Sequence, residues 1–476
     1  MSWERLSAGI MQAIRDGRAV KKITHCRACG SKALTPAFSL EKAAPALSAR
    51  IGGALVRRSR ADIDFVLCDP AKDARACGLL QLAHKRVAPV APPAPSNRYA
   101  SVRAHLRAVA TEALELISGR DCAALDIGCS DGALLSFYPR WVERYGVDPG
   151  EAVETVGEWA WTAREMFPSG ELDAAFGDKR FDIITVVSVL EEVDEPRALL
   201  KRAKELLAPD GVLAIETLYA PMTLTRNGVE AFVGGASAVY SLGVLERLMR
   251  DFGLKIFRGA LTGKEGGSVR LFVTHADAED HDFDPWYERL ARLWDEENAL
   301  SLRAMQPYQA FERRAEQARK SFISMMKEIA GRGESVHVLG ASAPSAALLA
   351  WAGEASAAIR AVVEEGPARG DAMLAGLPVI SETECRAAEP DYLLAPASLK
   401  REMMERWRES VLLGAKIIVA TPEPHVIHTH NFAAEYARTL AEGDGAGGVE
   451  TLRGILVAAG RPRVVAEQPA AQAASA

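Results

Sequence analysis

The chain of 476 residues has no apolar run long enough to cross a bilayer. Its first residues, MSWERLSAGIMQAIRDGRAVKK, lack the uninterrupted apolar core of a secretion signal. A cytoplasmic location with no membrane partner is therefore expected. An excess of positive charge is also missing: 57 Lys and Arg stand against 63 Asp and Glu, and no basic patch is interleaved with aromatics. Nucleic acid is not an expected partner on that balance. The seven cysteines are an odd number in a chain expected to stay inside the cell, which argues against a disulfide framework. No repeat of solenoid period occurs, so the length is read as two to four domains.

What is present is organised around ALDIGCSDGALLSFY, residues 124–138. A short apolar strand runs into a glycine-bounded turn, Gly128-Cys-Ser-Asp-Gly132, and then into an apolar run that can open a helix. Twenty residues after Gly128 a second strand candidate ends on Asp148, placed to accept both hydroxyls of a ribose. The turn reads GCSDG and not GxGxxG, so the glycine that lets a pyrophosphate approach is absent. A cofactor with ribose and adenine but without phosphates fits these residues better.

Four cysteines fall early, and Cys26 and Cys29 have the CxxC spacing of half a structural zinc site. The other half is Cys68 and Cys77, with eight residues between them, which suffices if the insert bulges outward. His25 and His84 are reserve ligands. The alternative is four reduced thiols in a small core. A body of this size has little core of its own, which favours a metal.

The rest of the chain divides by pattern. Residues 1–22 are a weak amphipathic extension, 23–90 the cysteine-bearing domain, and 88–98 a stiff Pro/Ala linker. Helical spacing runs over 99–119. Alternating strand and helix patterns follow within 91–279, with strands at 124–127, 145–147, 181–187 and 211–216, helices over 188–207 and 241–252, and a closing antiparallel pair. Residues 280–330 are charged amphipathic helices forming a bridge. The α/β grammar restarts over 331–455, with a small-residue turn from Gly340 to Ser345 that either seats a phosphate on backbone N–H groups or is plain connection. The Ala/Pro-rich tail, 456–476, is expected to be disordered.

LDIGCSDGALL, GVDP, FDIITVVSVLEEVDEP and LLAPDGVLAIET, in that order, resemble the core of class I S-adenosylmethionine-dependent methyltransferases. With a CxxC-led domain in front, and GGSVRLFV, HVLGASAPSAALL and IVATPEPHVI behind, the chain is similar to the three-domain sugar C-methyltransferases, from about residue 24 to 429. The resemblance implies an α/β fold: a class I Rossmann-like sheet flanked by a zinc-binding domain and a second Rossmann-like domain. It implies S-adenosyl-L-methionine and a structural Zn2+ held by Cys26, Cys29, Cys68 and Cys77. The acceptor would be a small molecule, a nucleotide-linked keto-deoxysugar, handled by a monomer or homodimer. The cofactor would lie over Gly128, Cys129 and Gly132, with Asp126 and Asp131 near its amino-acid end, Asp148 on the ribose, and Ala175 and Phe176 near the adenine. The acceptor's nucleotide would meet Gly340, Ser342, Glu364 and Arg369.

The family supplies its base from a YHEH segment; here the matching stretch is Val233-Gly-Gly-Ala236, without an acid or a base. Two further family histidines are replaced by Glu192 and Glu265. The remaining candidates for proton transfer or oxyanion support are Glu192, Glu265, Tyr219, Tyr240 and Tyr99, each of which is otherwise a turn, hairpin or packing residue. Two reactions stay open: carbon methylation with a relocated base, or methylation of an N, O or S nucleophile that needs none; a remote third reading is a non-catalytic protein that binds a ligand or serves as a scaffold.

Overall fold

The computed structural model describes residues 21–41, 48–51, 54–57, 62–85, 99–117, 121–281, 284–366 and 372–443. The expected extension before residue 21, the Pro/Ala linker, the C-terminal tail and Arg369 lie outside the described residues.

At the centre is a seven-stranded sheet in the order Leu254–Thr262, Ser268–His275, Leu207–Leu218, Phe181–Val187, Cys122–Ile127, Val142–Val147, Trp161–Ala163. Five strands are parallel, and Ser268–His275 runs antiparallel to both its neighbours. Every residue of Cys122–Ile127 is buried, as a strand covered on both faces requires.

The helix expected after the glycine turn is not there. Only the 3-10 turn Leu135–Phe137 forms, because Pro139 follows at once and the next strand already begins at Val142. The preceding helix, Ala100–Leu114, takes the vacant place and packs Leu106, Val109, Ala110 and Ala113 against Leu134, Leu135 and Tyr138. The helix expected over 188–207 starts late. Residues 188–195 are turns, and the helix is Pro196–Leu206, with Pro196 at a position where its missing N–H costs nothing.

In front, Leu34–Leu40, Ile63–Cys68 and Leu80–Leu82 form a small antiparallel sheet whose fourth strand, Ala238–Val239, comes from the middle of the chain. Behind lies a second seven-stranded sheet, parallel in its five inner strands, with Val336–Leu339 in the middle. The helices Asp284–Ala299 and Gln306–Gly331 connect the two. Gln306–Gly331 buries Tyr308, Phe311, Ala315, Ala318, Phe322, Met326 and Ile329, spaced three or four apart along one face. Phe38 and Phe65 of the small sheet, Phe232 and Phe311 meet with ring centroids 4.9–5.2 Å apart, so three parts of the chain share one aromatic junction.

Candidate functional site

The glycine turn sits at the carboxyl end of the central strand. Gly128 has φ +84 and Ser130 φ +48, and a Cβ at Gly128 would lie 2.2 Å from Val189 Cγ2, so the turn tolerates only glycine there. Asp148 fastens the turn to the neighbouring strand: its Oδ2 accepts from Ser130 N at 3.0 Å and its Oδ1 from Gly150 N at 2.7 Å. Each oxygen keeps capacity for a further donor. Asp131 Oδ1 accepts from Ala133 N at 3.3 Å, whereas Asp131 Oδ2 and Ser130 Oγ are shielded from water without a hydrogen-bond partner. Such atoms invite a ligand donor and acceptor.

Asp126 is buried and accepts from Thr185 Oγ1 at 2.6 Å. Burial pushes its carboxyl up to about 7, against the Thr185 bond and with help from Asp148. A cation placed beside it would favour its ionised form. The residues therefore fit S-adenosylmethionine: a carboxylate for an ammonium, an acid for a ribose, and orphaned polar atoms between them.

Two side chains expected near the cofactor are engaged elsewhere. The Cys129 side chain is packed under the turn, where a Cβ on Gly146 would fall 2.7 Å from its sulfur, so only its backbone faces a ligand. Burial holds that thiol well above the usual thiol range. Phe176 is committed to an aromatic cluster with Trp161, Phe181 and Tyr145, with centroids 5.3–6.4 Å away, and Ala175 is exposed on the same short helix. The segment beside Asp148 is instead the one that follows Ala163, whose carbonyl accepts from Asp148 N at 3.1 Å.

Of the five candidates for proton transfer, Tyr219 and Tyr240 are fully buried. Tyr219 Oη donates to Glu297 Oε2 at 3.1 Å, and Tyr240 Oη to Leu190 O at 3.2 Å, so both are packing residues. Glu192 is exposed on the turn after Ser188. Glu265 lies in the turn Lys264–Gly266. Tyr99 faces away from the cofactor turn: its hydroxyl lies 2.8 Å from where a Gly340 Cβ would be, against the other sheet's first turn.

The residues that do gather at the carboxyl end were not foreseen. Glu216 is buried; His105 Nε2 lies 2.7 Å from its Oε1, and Arg270 Nε donates to its Oε2 at 2.7 Å. Thr262 Oγ1 adds a bond to Oε1 at 3.0 Å. Burial raises the Glu216 carboxyl, but His105, Arg270 and Lys264 outweigh it and bring it down to about 2. Lys264 Nζ donates to Ser188 Oγ at 2.5 Å. Glu216 stands in the family-like LAIET strand, but nothing local in the chain ties it to His105, 111 positions earlier.

On the acceptor side, Gly340 has φ +80 and is covered by Tyr99 and by Leu399. The Ser342 hydroxyl lies 3.2 Å from that of Ser345, which donates to Leu339 O. Glu364 ends its strand, buried. A phosphate on this turn therefore competes with the Tyr99 side chain for the space above Gly340.

The four early cysteines come together. Their sulfurs all lie within 4.8 Å of one another, with Cys26–Cys77 at 3.6 Å and Cys29–Cys68 at 3.5 Å. Four thiolates about 2.3 Å from one tetrahedral zinc stand at roughly such separations. Hydrogen bonds from the Cys26, Cys68 and Cys77 thiols hold the Cys29 thiol far below the usual range. The loop between Cys68 and Cys77 bulges outward and is closed by Gly78 N donating to Cys68 O. His84 is 3.9 Å from Asp64 and His25 is exposed, and neither joins the cluster.

Comparison with known proteins agrees with this geometry. Residues 98–258 match the family described as a methyltransferase domain, and residues 263–422 the C-methyltransferase C-terminal domain. The chain is 26% identical over 386 residues to the C-methyltransferase NovU of Streptomyces niveus, covering 77% of this chain and 87% of that protein. It is 32% identical over 107 residues to a ubiquinone biosynthesis O-methyltransferase of Azorhizobium caulinodans, covering 20% and 39%. Among solved structures, the CcbJ methyltransferase of Streptomyces caelestis is 14% identical with a TM-score of 0.30, covering 36% of this chain and 95% of that one. The central sheet is that of a class I methyltransferase, flanked by a four-stranded sheet and a second seven-stranded sheet.

Proposed function

We propose that this chain, an S-adenosylmethionine-dependent methyltransferase, places a methyl group on a carbon of a nucleotide-linked keto-deoxysugar or a related biosynthetic intermediate. The observation that carries the carbon acceptor is the alignment with a C-methyltransferase over 386 residues, which is longer than the methyltransferase core alone, together with the match of residues 263–422 to the C-methyltransferase C-terminal domain. The sugar rests on the family resemblance of the sequence. In this reading residues 23–90 hold one structural zinc, 91–279 the cofactor, and 331–455 the far end of the acceptor.

The cofactor supplies an electrophilic methyl on a sulfonium, a good leaving group. The chain's residues have to bind, orient and deprotonate. Asp148 takes the ribose hydroxyls on its remaining lone pairs while keeping the turn in shape. Asp126 and Asp131 face the amino-acid end. A competing reading, methylation of an oxygen, nitrogen or sulfur, draws on one observation: Val233–Ala236 presents no acid or base where the family keeps its own.

The experiment is incubation with methyl-labelled cofactor and a panel of nucleotide-linked keto-deoxysugars, followed by NMR of the product. A new carbon-bound methyl is expected. A methyl on oxygen or nitrogen selects the competing reading, and no saturable binding of S-adenosylhomocysteine sinks both.

A further inference from the structure

We propose that His105 is the general base of this methyl transfer, with Glu216 as its positioning residue. The proposal deepens the carbon-acceptor reading above and rests on it, because only an acceptor that must lose a proton needs such a group.

The placement is on the sheet register. Asp126 pairs with Thr185 and Thr185 with Ala214, so these three share a row, and Glu216 is two residues further along on the same face. It points from that face at the carboxyl edge, where the cofactor turn also lies. His105 comes down on it from Ala100–Leu114, the helix that fills the place of the one missing after the turn. Lys264 Nζ donates to Ser188 Oγ, and Ser188 N donates to Glu216 O at 2.9 Å, so one cation stands beside the histidine end of the edge.

The hydrogen bonding gives the imidazole a direction. Glu216 is ionised and its Oε1 accepts from His105 Nε2 at 2.7 Å, much closer than Arg270 Nη2 at 3.4 Å from the same nitrogen, so Nε2 carries the proton. Nδ1 is then the basic nitrogen, and the side chain is 19% exposed, so it is not sealed in the core. The pair Glu216–His105 is thus arranged as a carboxylate–imidazole dyad, in a chain whose family-like stretch has lost its histidines. In the step, the proton on the acceptor carbon passes to Nδ1. The electron pair left behind forms the bond to the methyl carbon as the sulfur–carbon bond breaks, and that pair stays on sulfur. The imidazolium is stabilised by Glu216, and the Lys264 ammonium is the cation at hand for the developing oxyanion.

Two measurements on the full chain test this. In histidine-15N-labelled protein at pH 8, with the His105 signal assigned through His105→Gln, the expected tautomer has Nε2 protonated and Nδ1 bare. A protonated Nδ1 overturns the proposal whatever the acceptor. In the labelled-methyl assay, His105→Gln keeps an amide donor for Glu216 and should bind S-adenosylhomocysteine within about twofold of wild type. Its turnover should fall at least about 100-fold, with partial rescue of His105→Ala by added imidazole. Wild-type turnover in His105→Gln overturns the proposal and leaves the carbon-acceptor reading standing. A wild-type chain that binds S-adenosylhomocysteine but labels none of the sugars overturns the acceptor reading instead.

Discussion

The Arg27 guanidinium, between the two cysteines of the CxxC knuckle, donates to Asp194 Oδ1 from Nη2 at 2.8 Å and from Nε at 3.1 Å. Its side chain is only 3% exposed, and its other donors go to Leu82 O and His84 O. Asp194 closes the turn that begins at Ser188, and Val189 of the same turn is the residue packed on Gly128. The cysteine cluster thus props the segment on which the cofactor turn rests.

Replacing Asp194 with alanine leaves a buried guanidinium short of its counter-ion. A loss of about 3 kcal/mol is expected in urea unfolding. The exposed pair Lys85–Glu195 is the control, and Glu195→Ala should cost less than about 1 kcal/mol. Equal losses in the two variants would show that the Arg27 contact is not special.

Removing the Asp148 carboxylate frees both Ser130 N and Gly150 N and takes away the proposed ribose partner. Asp148→Ala should weaken S-adenosylhomocysteine binding by at least about tenfold, or about 1.4 kcal/mol, in titration calorimetry. Retained affinity would place the nucleoside elsewhere.

Asp126 makes the stability of the ligand-free protein depend on pH. Its folded carboxyl titrates at about 7, above its unfolded value, so the folded state binds the extra proton between roughly pH 4 and 7. That contribution is complete at the acid end of the window and is lost as pH rises through the folded value. Asp126→Asn keeps a partner for Thr185 and should abolish this component in unfolding curves taken from pH 4.5 to 8. Cofactor binding near pH 6.5 should release a proton from the wild type and not from the variant, read by calorimetry in buffers of different ionisation enthalpy.

The cysteine cluster should carry close to one zinc per chain by elemental analysis. Chelation, or Cys26→Ser, should lower the unfolding temperature of the whole chain, since a four-thiolate site leaves no position open for substrate. Loss of turnover with folding stability unchanged would point to a chemical role for the metal.

Much of this was legible before any coordinates. GCSDG, Asp148 and the cysteine spacings are local signals, since a turn of positive φ needs its glycines and a metal knuckle needs its thiols close in sequence. The missing helix was partly legible too, because Pro139 stands inside the run that was expected to form it. The sequence leaves the tyrosines open between a ligand contact and packing, because a phenol looks the same in a chain whether its hydroxyl meets a ligand or, as with Tyr219, a buried carboxylate.

By itself the sequence determined the strand grammar, the cofactor turn with its two acids, and the four sulfurs, because each depends on neighbours a few residues apart. Only the tertiary structure decided which acid meets which base. His105 and Glu216 approach because a helix from before the sheet is laid across the strand edge, filling the volume that a three-residue turn left empty. Packing across the whole sheet sets that contact, and no periodicity along the chain encodes it.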